Sequence, residues 1–416
     1  MTDAVRARPG PIDPAFVVIL AGVSAALHVG KLPPALPVLR EALGITLLQS
    51  GFLLSMVQLA GMTLGLAVGL TADGIGLRRS LLTGLLVLFG AGALGGWAQD
   101  ATSLIALRAL EGFGFLLVSM PAPSLVRQLV PPHRLSAMLG IWGGYMPLGT
   151  AAALLSGPLV IFATSWQVWW WGTAGLSLLM AVWVWRAVPV DHQRCPALES
   201  ITAASGREGW PQRLHQTLRS PGPWLVALSF AMYSGQWLAV IGFLPSIYAQ
   251  AGVAGSASAV LTALAAAVNI VGNMASGRLL QRGVPAQHLL YTGFSVMALG
   301  AFVAFATFPF ADGVGLPPMI RFVAILFFSA VGGMIPGTLF SLAVRLAPGE
   351  RTVSTTVGWM QQWAALGQFA GPPLVAWVAS GAGGWHWTWL VTGVCSVAGV
   401  LLARQVGRRL ESVPAA

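Results

Sequence analysis

PAFVVILAGVSAALHVGKLPPALPVLR, residues 14–40, is an apolar run that carries two titratable groups, His28 and Lys31, one helical turn apart in its middle. Lys31 is the only lysine in 416 residues; the other 21 basic residues are arginines. A helix of about 20 apolar residues crosses the hydrocarbon of a bilayer, and the run from 15 to 39 exceeds that length. The chain around it has the same character. It is 56% hydrophobic and 8% charged, whereas soluble domains carry about 25% charged residues. Further apolar runs lie near 46–69, 80–98, 102–126, 136–162, 167–188, 223–249, 256–280, 287–309, 318–343, 353–379 and 386–404. Backbone groups in lipid must pair within their own segment, so the runs predict twelve transmembrane helices. They are too long and too uniformly apolar for the alternating ten-residue strands of a barrel.

The basic residues give an orientation. With both ends of the chain placed in the cytoplasm, 18 arginines fall in inner segments, and only Arg40 and Arg321 fall in outer loops. This is a positive-inside pattern. It accounts for the net charge of +10 through contact with anionic membrane lipids and without nucleic acid. WQVWWW (166–171) and WHWTW (385–389) fall at the expected outer interfaces, as an aromatic belt would. The first apolar run is too long for a secretory signal. Cys195, in a polar stretch, and Cys395, in the last run, are too far apart to predict a disulfide.

The sequence also repeats. At an offset of 208, Leu36-Pro37 falls on Leu244-Pro245, Gly44 on Gly252, Ser50 on Ser258 and Gly69 on Gly277. Further on the offset drifts: VRQLVPPHR (126–134) is similar to VRLAPGER (344–351), and Gly157-Pro158 to Gly371-Pro372. The reading is an all-α membrane protein of two pseudo-symmetric six-helix bundles. Residues 1–188 form the first and 223–416 the second, with a short tail, and 189–222 is a cytoplasmic linker.

GLTADGIGLRR (69–79), between the second and third runs, resembles the signature G-x-x-x-D-R-x-G-R-R of the major facilitator superfamily, and RALEGFGF (108–115) resembles its helix 4 motif R-x-x-x-G-x-G. LPVLREALGIT, GIWGGYMPLG and GFLPSIYAQAG are similar to its cyanate and nitroimidazole transporter branch. The resemblance implies the major facilitator fold, with helices 1, 4, 7 and 10 around a central cavity. It also implies gating at Gly69, Asp73, Gly76, Arg78 and Arg79, where glycines permit a tight turn and charges make contacts that break as the halves rock. Helix 5 lacks the full glycine-proline pattern of drug–proton antiporters; only Gly157-Pro158 is present.

Candidate residues follow. Ser24, His28 and Lys31 share one helical face, and Arg108 and Glu111 make a similar pair in the fourth run. Charges at the bilayer centre cost about 2.5–3.5 kcal/mol each and mark pathways. Under the 208 offset His28 maps onto Gln236, which shares a face with Tyr233 and Trp237; Trp359 and Gln362 lie in the eleventh run. The expected substrate set is therefore His28, Lys31, Arg108, Tyr233, Gln236, Trp237, Trp359 and Gln362, with Glu111 and His28 as proton carriers. Structural readings stand beside these: Lys31 snorkelling to the interface, Arg108 and Glu111 neutralising each other, and His28 as a packing residue. Asn269 and Asn273 read as inter-helix contacts.

Enzyme chemistry has no carrier here. The lone Gly-Lys, Gly30-Lys31, is followed by Leu32 rather than the Ser or Thr of a phosphate loop. No cofactor or metal is expected. The function expected is a secondary active transporter in the cytoplasmic membrane, monomeric, moving a small anionic solute by proton-coupled alternating access. The alternatives are a proton-antiport exporter of drugs or amphipathic metabolites, and a non-transporting receptor or scaffold.

Overall fold

The computed structural model describes residues 13–131, 134, 138, 141–190, 210–307, 315–349 and 352–411, without the side chains of 68–75 and 210. Twelve long helices follow one another: α1 (Pro14–Leu43), α2 (Leu47–Ala67, continuing to Ile75), α3 (Leu77–Gly95), α4 (Ala101–Leu129), α5 (Tyr145–Ala163), α6 (Trp166–Ala187), α7 (Pro221–Gln250), α8 (Gly255–Gln281), α9 (Ala286–Phe305), α10 (Pro318–Arg345), α11 (Val353–Gly381) and α12 (Thr388–Glu411). Among the described residues, eleven helices are long and apolar enough to cross a membrane. The exception is α11. It has the length, 29 residues, but Trp359, Gln361, Gln362 and Gln368 dilute its apolar character. It is held instead by packing against α7 and α2.

Large apolar side chains face outward around the perimeter, among them Phe162, Leu179, Leu299 and Val394. Such a surface suits lipid rather than water. With twelve helices running in alternating directions, the start of α1 and the end of α12 lie toward one face, the terminal face. The helix ends and turns there hold Arg127, Arg278, Arg282, Arg345 and Arg408, while Arg40 and Arg321 lie toward the opposite face.

Helices α1–α6 pack mainly on one another, as do α7–α12. Two pairs of turns carry the repeat into the backbone. Gly44 and Gly252, after α1 and α7, have φ of 63° and 72°; Gly76 and Gly283, after α2 and α8, have 97° and 83°. This left-handed region favours glycine. The linker expected at 189–222 contributes a short helix, Trp210–Arg219. Its residues 191–209, with Cys195, lie outside the described residues; Cys395 is a free thiol.

Several spans are interrupted. α1 breaks at Lys31, ahead of Pro33-Pro34; α2 at Val57–Gln58; α4 at Met120–Pro121; α8 at Val268; and α10 at Gly333. Proline removes a backbone donor, and an interrupted ladder frees carbonyls for side chains to bind. The halves meet where α2 packs on α11, α5 on α8, and the Leu32–Leu43 part of α1 on α7.

Candidate functional site

The interruption of α1 places His28 and Lys31 against Arg108 and Glu111 of α4. Lys31 Nζ donates to Glu111 Oε1 at 2.5 Å, and Arg108 Nη1 donates to Glu111 Oε2 at 2.5 Å. His28 Nδ1 lies 3.3 Å from Lys31 Nζ and 3.4 Å from Glu111 Oε1. Its Nε2 lies 2.8 Å from Ser177 Oγ on α6, which in turn donates to Thr173 O. One neutral tautomer satisfies this chain: Nδ1 accepts from Lys31 and Nε2–H donates to Ser177. The ring of Trp170 lies 4.7 Å from Lys31 Nζ, a cation–π distance. Arg108 also reaches the freed backbone of both broken helices, donating from Nη1 to His28 O at 2.6 Å and from Nε to Leu53 O at 3.4 Å. Gly92 of α3 leaves room for the cluster; a Cβ there would sit 3.3 Å from the His28 ring and 3.4 Å from Glu111 Oε1.

All four side chains are buried: His28, Lys31 and Arg108 are 0% exposed and Glu111 is 1%. Lys31, expected in the substrate set, has its ammonium engaged by Glu111. It neither snorkels to the interface nor stands free: the ammonium bonds Glu111 and lies against the ring of Trp170. The Arg108–Glu111 neutralisation weighed from the sequence is present, with Lys31 as a third member. Two cations share one carboxylate, so with Lys31 protonated and His28 neutral the set carries one positive charge in excess.

The second half assembles a different group. Asn269, at the break in α8, donates to Tyr233 Oη and to Ser329 O, both at 2.9 Å. Trp237 Nε1 donates to Ser329 Oγ at 3.0 Å. Tyr233 and Trp237 thus face α8 and α10. Gln236 does not share their direction: its Oε1 accepts from Ser396 Oγ on α12 at 3.0 Å, because the intervening turn of α7 rotates it toward that neighbour. Trp359 packs edge-on against Trp224 and Trp363 near the terminal face. Gln362 turns toward the first half and bonds α2 backbone. The described contacts of these residues do not join them to the cluster around Glu111.

The turn between α2 and α3 is partly visible. Gly76 has the left-handed backbone the tight turn needs. Arg78 is buried and donates to Trp185 O near the end of α6 at 2.5 Å, a favourable place for a cation, and Arg79 is exposed. The side chain of Asp73 lies outside the described residues, and Gly69 falls in the same stretch, 68–75.

Sequence reasoning missed Ser177, Trp169 and Trp170. WQVWWW is only partly an interfacial belt: Trp170 is wholly buried under Lys31, and Trp169 Nε1 donates to Lys31 O at 2.9 Å. The signal was the spacing of 169, 173 and 177, one buried face of α6.

A family model described as Major Facilitator Superfamily matches residues 15–361. The 2-nitroimidazole transporter of Escherichia coli (strain K12) is 24% identical over 393 residues, 91% of each chain. The cyanate transport protein CynX of the same organism is 23% identical over 253 residues, 60% of this chain and 62% of that one. Against the uncharacterized MFS-type transporter Rv1877 of Mycobacterium tuberculosis (strain ATCC 25618 / H37Rv), identity is 29% over 174 residues, and this chain spans 25% of that relative's length. The fold is similar to that of a bacterial homolog to human lysosomal transporter Spinster in an inward-facing and occupied conformation (TM-score 0.78, 15% identity, 96% and 98% of the chains). It is also similar to that of a D-xylose-proton symporter (TM-score 0.71, 16% identity, 94% and 96%). The chain belongs to the Major Facilitator Superfamily, a family of membrane transporters rather than enzymes.

Proposed function

We propose that this chain is a proton-coupled secondary transporter of a small solute, working by alternating access in the cytoplasmic membrane as a single chain, with the arginine-rich terminal face inside. The observation that carries the reading is the convergence of three titratable groups within the membrane interior: Glu111 Oε1, Lys31 Nζ and His28 Nδ1 lie within 3.4 Å of one another. Intramembrane ionisable residues that pair with one another are the usual parts of a proton relay. The charge count gives the mechanism. Loss of one proton from the set leaves Arg108 and Glu111 as a balanced pair. Lys31 and His28 therefore hold and pass the coupling proton, Glu111 anchors both, and Arg108 ties the set to the broken backbones of α1 and α2. Tyr233 and Trp237 form the second-half wall of the solute site, while Gln236, turned to Ser396, stands outside it.

The preference for an anion loses its support, since the ammonium expected to bind it is engaged by Glu111. The solute contacts then come chiefly from neutral donors and aromatic faces. The test is a proteoliposome assay with an internal pH indicator, offering cyanate, nitroimidazoles, aromatic acids and sugars in turn. The expected result is proton flux that requires one of these solutes and disappears in Glu111→Gln. Solute flux that leaves internal pH unchanged would refute the coupling, and no flux under any gradient would favour a scaffold.

A further inference from the structure

We infer that Gln362 is a reversible latch between the two halves, holding the state seen here by bonding its amide to backbone groups of α2. This rests on the alternating-access reading above. Gln362 lies on α11 in the second half. Its Oε1 accepts from Leu66 N at 3.2 Å, and its Nε2 donates to Met62 O at 2.8 Å, both in the first half. Met62 and Leu66 are four residues apart. Their carbonyl and amide are therefore the two groups that bond each other in an undisturbed α-helix. One side-chain amide engages both, donating to one and accepting from the other.

The surroundings are built for that approach. Gly65 brings α2 close enough that a Cβ would touch Gln362 at 3.6 Å, and Gly358 of α11 faces Leu66 at 3.3 Å. Toward the opposite face the same two helices close further, with Gly61 against Ala365 and Gly51 against Pro373. Gln362 therefore sits where tight α2–α11 packing gives way toward the terminal face.

The latch is reversible because its release strands little. Unpaired backbone groups in lipid cost several kcal/mol each, which would make an ordinary inter-helix backbone bond expensive to break. Here the partners freed on α2 are each other's natural partners. When the halves part, Leu66 N–H and Met62 O have each other as helix partners, and only the Gln362 amide needs water. Both arrangements satisfy α2, so the element has two states, and the difference between them is the net worth of the amide's bonds, about 1 kcal/mol.

The test needs no knowledge of the solute. In full-length protein with Cys195→Ser and Cys395→Ser, a reporter cysteine replaces Leu54. Leu54 is buried between the halves, against Gly242 of α7, and would meet water only when the opposite face opens. A second reporter replaces Leu85, buried inside the first half. Alkylation by a water-soluble maleimide is timed with and without Gln362→Met, which keeps length and bulk but removes both hydrogen bonds. Gln362→Leu serves as a second variant. The expected result is a rate at Leu54→Cys raised about 5- to 10-fold and an unchanged rate at Leu85→Cys. Equal, measurable rates with and without Gln362 would overturn the latch and leave alternating access standing. A rise at both reporters would mean general loosening and would also overturn it. No reaction at Leu54→Cys in any variant would overturn both readings.

Discussion

His28 on α1 meets Ser177 on α6; at the corresponding place in the second half, Gln236 on α7 meets Ser396 on α12. The repeat has kept a polar contact between equivalent helices and changed its chemistry. Around His28 stand Lys31, Arg108 and Glu111; where the 208 offset carries Lys31, α7 has Ala239. The second half uses an amide, a phenol, an indole and hydroxyls around Asn269. Both groups lie at helix interruptions, where backbone groups are free to be bound. On the proposed reading the difference is a division of labour within one architecture: a neutral network orients a solute, and the ionisable one holds and releases a proton.

The largest test of that contrast is Glu111→Gln. It leaves Lys31 and Arg108 buried together with no counter-charge. Breaking a buried ion pair from one side costs about 3–5 kcal/mol, so thermal unfolding of the purified protein is expected to shift down sharply. Lys31→Met is expected to be far milder in stability, because the balanced Arg108–Glu111 pair remains, while solute-driven proton flux is lost. If the two variants unfold alike, the assignment of Glu111 as the shared anchor is wrong. Asn269→Leu is the counterpart in the second half. It removes the donor to Tyr233 Oη and Ser329 O, an effect of about 1–3 kcal/mol for the stranded groups, and should slow solute flux without uncoupling it from protons. An uncoupled Asn269→Leu would erase the division between the halves.

A finer comparison uses the two serines. Ser177→Ala and Ser396→Ala each delete one hydroxyl from equivalent contacts, so each should cost about 1 kcal/mol. Only Ser177 touches a titratable ring. Its loss should move the pH dependence of transport, and the loss of Ser396 should leave that profile in place. Equal shifts would show that the hydroxyls act only through packing.

These contrasts also mark how far the sequence could be read. The helical character of the runs follows from local composition, and eleven helices among the described residues are long and apolar enough to cross a membrane; Gly44 and Gly252, matched by the 208 offset, both have left-handed backbone. His28 with Lys31, and Arg108 with Glu111, were visible as neighbours one turn apart. That the two pairs form one set was not, because the contact spans 80 residues and depends on how α1 and α4 rotate about their axes. The same rotation turned Gln236 away from Tyr233 and Trp237, and turned Gln362 toward α2. Helical spacing fixes which residues share a face, while the neighbour that face meets is decided by packing. Trp170 shows the limit from the other side: an indole in a tryptophan-rich run reads as interfacial until a lysine is found above it.

The smallest expected effect lies at the starts of α4 and α10, equivalent helices that begin differently. Asp100 caps α4, accepting from Ser103 N at 2.9 Å and from its hydroxyl at 3.0 Å. These bonds hold its carboxyl below the usual carboxylate range, since they favour the charged form. α10 begins at Pro317-Pro318 with no side-chain cap, so it has no capping carboxylate to lose as the pH falls. A group whose folded pKa is depressed contributes stability above its ordinary pKa, near 3.9 for Asp, and loses it as pH falls through the folded value. Hydrogen exchange at residues 101–105, corrected for intrinsic rates, should therefore quicken as the pH is taken below about 4, while the start of α10 shows no such step. Asp100→Asn keeps an N-cap acceptor and should abolish the step in α4. A pH step that survives Asp100→Asn would mean the loosening starts elsewhere in the first half, with the buried carboxylate of Glu111 the first place to look.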